Sequence, residues 1–182
     1  MHSTEKATEL AKKIKLLILD IDGVLTDGGI YFDDTGKELK KFNSLDGHGI
    51  KMILSSGIEV GVITARSTSS VSYRLKDLGV KHYCHGISDK SITLTELTDK
   101  LSIELSQVCY VGDDVIDLAV MTKVALPIAV ANAHSFVKEH SILVSEKCGG
   151  SGAVREVCDF LLKSQGKYDA LISSRELNDD IY

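Results

Sequence analysis

The sequence has no tryptophan and a single proline, and aromatic residues make up only 5% of it, so no proline-rich linker divides the chain. No apolar run approaches the length that crosses a bilayer. Residues 1–12 are polar and lack the apolar centre of a secretory signal, which leads to the expectation of a cytoplasmic protein. An excess of basic residues is also missing. The net charge of −5 argues against general nucleic-acid binding. It leaves room for an anionic substrate wherever basic side chains converge. The four cysteines, Cys84, Cys109, Cys148 and Cys158, have no paired spacing. That excludes a disulfide framework and a zinc site and predicts reduced, mostly buried thiols. His82, Cys84 and His85 lie close together, but strand alternation sets His85 on the opposite face from the other two.

What remains is 182 residues, 43% of them hydrophobic, enough for one ordinary domain with a real core. The run Ile14–Leu19, interrupted only by Lys15, predicts a strand buried on both faces. Asp20 and Asp22 follow at its carboxyl end, two positions apart and therefore on one face if the strand runs on. Gly23 then permits a sharp turn. Open α/β sheets place ligands at this edge. Two carboxylates there repel each other, and a divalent cation with oxygen ligands offsets that repulsion. An acid pair of this kind suits phosphoryl transfer, one carboxylate attacking and the other moving protons. Read alone, the pair is equally a strand end and a turn.

Further along, two short extended runs around Asp33-Asp34-Thr35-Gly36 predict a β-hairpin within residues 28–42. A polar loop, Asn43 to Gly49, leads into a helix that Asp46 is expected to cap, with Ile50, Ile53 and Leu54 inward. Val60–Thr64 is a second strand, Ser67–Leu78 a helix stopped by Gly79, and Val80–His85 a third strand. Ser88–Leu105 reads as one helix with Ile92, Leu94, Leu97 and Leu101 inward. Gln107–Val111 is a fourth strand running into Gly112-Asp113-Asp114, followed by a short helix from Val115 to about Lys123. Ala125–Val130 is a fifth strand, Ile142–Val144 a sixth, and Ala153–Lys163 the last helix. Strands alternating with helices predict an α/β fold, a doubly wound, Rossmann-like parallel sheet. The expected organisation is a polar N-terminal segment at 1–13, a single domain over 14–165 with the small hairpin insert and no separate cap domain, and a loose polar tail at 166–182.

Four polar clusters follow four strands: Asp20 with Asp22, Thr64, Lys90, and Asp113 with Asp114. Parallel strands bring such ends together, giving a set that binds a divalent cation and a phosphate. Taken singly, Thr64 reads as a plain strand end, Lys90 as a solvated lysine, Asp114 as an N-cap and Arg74 as a solvated helix face. The ordered motifs Asp20-Ile21-Asp22-Gly23-Val24, Thr64, Lys90 and Gly112-Asp113-Asp114 with Asp117 resemble those of the haloacid dehalogenase superfamily of phosphatases, over about Ile14–Lys163.

That resemblance implies an aspartyl-phosphate on Asp20 and proton transfer by Asp22. It implies Mg²⁺ held by Asp20, the Asp22 backbone carbonyl and Asp113, with Thr64 and Lys90 at the phosphoryl oxygens. Asp114 and Asp117 would orient waters and Lys90 from behind. A closer resemblance is to the 3-deoxy-D-manno-octulosonate 8-phosphate phosphatase family. It is carried by Asp20–Gly28, Phe42-Asn43, Asp46-Gly47, Gly49-Ile50-Lys51, Thr64-Ala65-Arg66, Val111–Asp117, Gly149-Gly150 and Gly152–Val157. It implies substrate contacts from Asp22, Asn43, Ser44, Leu45, Asp46, Gly47, Lys51, Arg66, Arg74 and Lys90. It also implies a role in lipopolysaccharide precursor synthesis and a homotetramer whose subunits cover one another's sites. Ala65, where many members have glycine, and Ser151, where some have arginine, depart from the pattern. Ile30, Phe32 and Leu39 of the hairpin offer a contact face.

Three other readings fit some of these residues. A phosphatase of a nine-carbon, sialic-acid-type sugar phosphate would share every catalytic residue and differ around Asn43–Lys51. A phosphoacceptor signalling domain uses similar clusters, but with the acceptor on a later strand than the acid pair. A catalytically idle assembly domain would not need the intact Asp20/Asp22 pair.

Overall fold

The computed structural model describes residues 4–176. A six-stranded sheet carries the molecule. Its strands are β1 (Leu16–Leu19), β4 (Glu59–Ile63), β5 (His82–Cys84), β6 (Val108–Gly112), β7 (Leu126–Ala129) and β8 (Leu143–Val144), in the order β5-β4-β1-β6-β7-β8. Every neighbouring pair in it is parallel. Strand β1 lies between β4 and β6, with Leu19 level with Val62 on one side and Val111 on the other. The chain fills one half of the sheet, then crosses β1 to fill the other, so the crevice at the carboxyl ends opens beside β1. All four β1 residues are buried, as the uninterrupted apolar run requires.

Helices α2 (Ser44–Ser55), α3 (Ser69–Leu78), α4 (Lys90–Leu101), α5 (Leu118–Met121), α6 (Ser135–Glu139) and α7 (Ala153–Ser164) alternate with the strands. A separate antiparallel hairpin, β2 (Tyr31–Phe32) and β3 (Glu38–Leu39), rises beyond the carboxyl edge. It is closed at its base by a bridge between Thr26 and Phe42. Among the described residues no helix is long and apolar enough to cross a membrane.

The structure departs from the sequence reading at several points. The polar N-terminal segment contains a helix, α1 (Glu5–Ala11), capped by Thr4, with Ala7 and Ala11 fully buried. Two small residues four apart let this helix lie close against the core despite its polar composition. Residues expected to form a loose tail include α8 (Tyr168–Glu176), and Leu171 and Ile172 of that helix pack on the core. The part of the expected tail over 177–182 lies outside the described residues. The helix expected over Ser88–Leu105 ends at Leu101, because Ser102 turns left-handed at φ 53°. Ile92, expected inward, is 58% exposed. Lys90, Thr93, Leu94, Leu97 and Thr98 are the buried face of α4, and Ile92 falls off that stripe.

Candidate active site

Beyond Leu19 the chain leaves the sheet at Asp20, whose N–H donates to the Val111 carbonyl at 3.2 Å. It then coils through Ile21–Leu25, with extended backbone at Asp22 and φ 85° at Gly23. Thr26, fully buried, staples this coil. Its hydroxyl donates to the Ile21 carbonyl at 3.2 Å and accepts from the N–H groups of Gly23 and Gly28. Asp20 is thereby buried at the end of β1, while Asp22 is carried up towards the hairpin.

The crevice holds a cleft of about 210 Å³ lined by Asp20, Asp22, Gly28, Thr64, Ala65, Arg66, Lys90, Asp113, Asp114 and Ile116. One chain therefore brings Asp20, Asp22, Thr64, Arg66, Lys90, Asp113 and Asp114 around a single space. A larger cavity, about 490 Å³, opens elsewhere against Lys12, Lys13, Lys15 and Lys167, but its lining has only one carboxylate, Glu104. Chemistry, not size, identifies the site.

Lys90 begins α4 under an Asp89 cap and is 5% exposed. Its Nζ lies 3.1 Å from Asp20 Oδ1, 2.8 Å from Asp117 Oδ1 and 3.3 Å from the Tyr110 hydroxyl. Burial alone would depress this ammonium's pKa; Asp20 and Asp117 outweigh it and hold the pKa above its ordinary value. Asp117 is completely buried. Its Oδ1 also accepts from the Tyr110 hydroxyl at 2.6 Å, and its Oδ2 accepts from the N–H groups of Asp113 and Asp114. Asp114 is the N-cap of the turn that follows, accepting from the Val115 N–H at 2.7 Å.

Oxygens of Asp20, Asp113 and Asp117 lie within 4.8 Å of one another. Burial first, then the Asp117 charge, pushes the Asp20 carboxyl up to about 6. Burial, Asp117 and Asp20 push Asp113 up to about 7. No lysine or arginine among the described residues forms an ion pair with Asp113. A Cβ on Gly23 would sit 2.0 Å from Asp113 Oδ2, so the missing side chain makes the room that carboxylate occupies. A buried and a half-buried carboxylate raised in this way, the second without an ion-pair partner, fit an oxygen-liganded divalent ion. Asp117 belongs to the cluster by distance, but its oxygens are already committed.

The carboxylate of Asp22 stands apart from that cluster. Its Oδ1 pairs with Lys40 Nζ, and its Oδ2 is 3.9 Å from Arg66 Nε. Glu38 ties the same two cations together, at 2.7 Å from Lys40 and 2.8 Å from Arg66 Nη2. The Lys40 side chain is only 1% exposed. Glu38, Lys40 and Tyr110 were missed in the sequence. Glu38 and Lys40 are two apart and share a hairpin face, a signal that alternation made available. Tyr110 carries the only side-chain hydroxyl in the buried strand Val108–Gly112.

Several expected substrate contacts are not in this cleft: Asn43, Ser44, Leu45, Asp46, Gly47, Lys51 and Arg74 do not line it. Asn43, not Asp46, caps α2, through the Leu45 N–H at 2.8 Å. Asp46 is 1% exposed and caps α7 instead, accepting from the N–H groups of Gly152 and Arg155. That carboxylate is committed to the start of α7. Arg74 pairs with Asp77 and lies over Gly47, where a Cβ would meet its Nη2 at 2.2 Å. Ser44, Leu45 and Lys51 are exposed.

Comparison with known proteins gives a consistent set of relatives. Residues 84–156 match the family described as haloacid dehalogenase-like hydrolase. The chain is 51% identical over 159 residues to 3-deoxy-D-manno-octulosonate 8-phosphate phosphatase KdsC of Escherichia coli strain K12, covering 87% of this chain and 85% of the relative. It is similar to the crystal structure of the Yersinia pestis phosphatase of that name, with TM-score 0.89 and 43% identity over 91% of this chain and 89% of the other. It is also similar to the Moraxella catarrhalis phosphatase solved with a magnesium ion, a phosphate ion and a KDO molecule. There the TM-score is 0.92 and the identity 41%, over 94% of this chain and 98% of the other.

Proposed function

This chain belongs to the 3-deoxy-D-manno-octulosonate 8-phosphate phosphatase family of haloacid dehalogenase-like hydrolases, and from that premise we propose that it hydrolyses this sugar acid phosphate through an aspartyl-phosphate on Asp20. The observation that carries the reading is the buried Asp20 carboxylate at the end of β1, 3.1 Å from the Lys90 ammonium and within 4.8 Å of Asp113. Asp20, Asp113 and the Asp22 backbone carbonyl would hold Mg²⁺. Bound there, the ion supplies positive charge against the crowded carboxylates and the phosphoryl group.

An Asp20 oxygen forms a bond to phosphorus as the bond from phosphorus to the sugar oxygen breaks. Asp22 gives a proton to the leaving alkoxide. In the second step Asp22 takes a proton from water as that water attacks phosphorus and the Asp20–phosphorus bond breaks. Lys90 and the Thr64 hydroxyl stand against the phosphoryl oxygens, where charge collects. Asp117 and Tyr110 fix Lys90, and Asp114 holds the turn that presents Asp113. Arg66, at the cleft wall, is placed for the carboxylate of a doubly anionic substrate.

The hairpin presents Ile30, Tyr31, Phe32 and Leu39 to solvent, between 43% and 62% exposed. We assign this apolar face to contacts within a homotetramer, and Ser44, Leu45, Lys51 and Arg74 to substrate contacts made across subunits. Water must be kept from the chemistry, and one chain leaves the cleft open on that side. A cytoplasmic enzyme supplying a lipopolysaccharide precursor completes the reading.

The test is Mg²⁺-dependent phosphate release over a panel of sugar phosphates. The eight-carbon sugar acid phosphate is expected to be turned over best. Preference for a nine-carbon sugar acid phosphate, or a stable phosphoprotein without turnover, would overturn it.

A further inference from the structure

Helix α7 lacks a cap of its own. The residue before it is Gly152, which has no side chain and adopts φ 101°, a conformation that L side chains rarely take. The cap is supplied by Asp46, 106 residues earlier in the chain, with Oδ1 at 2.8 Å from the Arg155 N–H and Oδ2 at 3.3 Å from that of Gly152. Among the described residues no ion pair is formed by this buried carboxylate, and the nearby Arg155 charge only partly offsets its burial. The Arg155 guanidinium is turned to Asp159 at 2.7 Å and towards His48 at 3.3 Å. Burying a charge in this way is costly, and an ordinary serine or aspartate at a conventional N-cap would serve the helix alone.

The loop leading into α7 accounts for the arrangement. It is packed directly beneath the coil that presents Asp22. A Cβ on Gly149 would fall 1.6 Å from the Gly23 carbonyl oxygen, and one on Gly150 would fall 2.4 Å from the Asp27 nitrogen. The Gly150 N–H donates to the Val24 carbonyl at 2.9 Å. From the start of α2, Asn43 reaches the Gly150 carbonyl with its Nδ2 at 3.5 Å. Asn43 and Asp46 thus hold the middle and the far end of a loop whose glycines touch the backbone of Gly23, Val24, Thr26 and Asp27, the stretch that follows Asp22 directly.

We propose that Asp46, supported by Asn43, is a positioning residue for Asp22, setting the place of the proton donor through the loop at Gly149 and Gly150. This rests on the phosphatase reading above. A donor displaced by about 1 Å loses much of its effect. That loss falls on substrates whose leaving group needs a proton, and spares those whose leaving group departs as a stable anion.

The experiment compares Asp46→Asn and Asn43→Ala with the unaltered protein, using the sugar acid phosphate and p-nitrophenyl phosphate. It measures kcat/KM for both substrates, and Tm to confirm folding. For Asp46→Asn, kcat/KM on the sugar acid phosphate should fall by about tenfold or more, and on p-nitrophenyl phosphate by less than about threefold. Asn43→Ala should show the same split at smaller size, which keeps the test open if Asp46→Asn does not fold. Equal losses on both substrates, or a lowered Tm with both activities kept, would overturn the proposal. If the unaltered protein ignores the sugar acid phosphate, the function reading fails separately. An alkyl phosphate that it does turn over then serves as the demanding substrate.

Discussion

Lys90 lies closer to Asp117 than to Asp20, at 2.8 Å against 3.1 Å. The carboxylate that anchors the ammonium is therefore the one proposed to take no part in the chemistry. Asp117 is completely buried and accepts three further hydrogen bonds, from the Tyr110 hydroxyl and from the N–H groups of Asp113 and Asp114. Replacing it by alanine takes the acceptor from the buried Tyr110 hydroxyl and leaves Lys90 with Asp20 as its remaining carboxylate partner. The expected outcome is a loss of about 3 kcal/mol or more in stability, by denaturant unfolding, and a fall in kcat of roughly 10²-fold.

Asp20→Asn removes the proposed nucleophile, and phosphate release is expected to drop by at least about 10³-fold. Asp113→Asn is the more informative partner. It relieves a carboxylate raised to about 7 by burial and by its acidic neighbours. In metal-free buffer near neutral pH its Tm should exceed that of the unaltered protein, while Mg²⁺ should no longer raise it. A lowered metal-free Tm would contradict the crowding described at the rim.

The same carboxyls give the metal-free protein a pH dependence. Asp20 and Asp113 stand at about 6 and about 7 in the fold, against an ordinary 3.8. Between about pH 4 and 7 the folded state keeps protons that the unfolded state has released, so stability falls as pH rises through that window. Metal-free Tm should be higher near pH 5 than near pH 8. Added Mg²⁺ should restore more at the higher pH, where both carboxylates are ionised.

Gly23→Ala tests the space beside Asp113. The new methyl would stand 2.0 Å from Asp113 Oδ2 on a backbone at φ 85°. Mg²⁺ binding, followed by calorimetry, should weaken by about tenfold or more, because a ligating carboxylate is displaced.

Lys40→Met leaves Asp22 and Glu38 with Arg66 alone of the two cations that join them. Turnover should fall by about tenfold, with Arg66 drawn further towards the two acids. Unchanged turnover would separate the hairpin from the chemistry.

The sheet was readable because its strands are short apolar runs ending in polar residues, and the two acids, Thr64, Lys90 and Asp113 were readable because each follows such a run. Contacts between distant segments left weaker marks. Asp46 looked like a cap for the helix it sits in, since spacing reports the local option and cannot reveal that Gly152 leaves another helix uncapped. Lys40 sat among the charges of a hairpin, where a lysine is ordinarily solvated, and only the fold shows its side chain enclosed by Asp22 and Glu38. Helix α1 was hidden by its own composition, because its buried residues are alanines and its other positions are mostly polar. The tail helix was missed for a related reason: its apolar content is low, and Leu171 and Ile172 are only partly covered.

The contact between Gly149 and the Gly23 carbonyl orders events during synthesis. A chain still on the ribosome can pair β1 with β4 soon after both emerge, yet the seat beneath Asp22 does not exist until the glycines near position 150 have been translated. The acids are among the first residues made, and their alignment is among the last things settled, so a protein cut short before that loop would keep its reactive groups and lack the means to aim them.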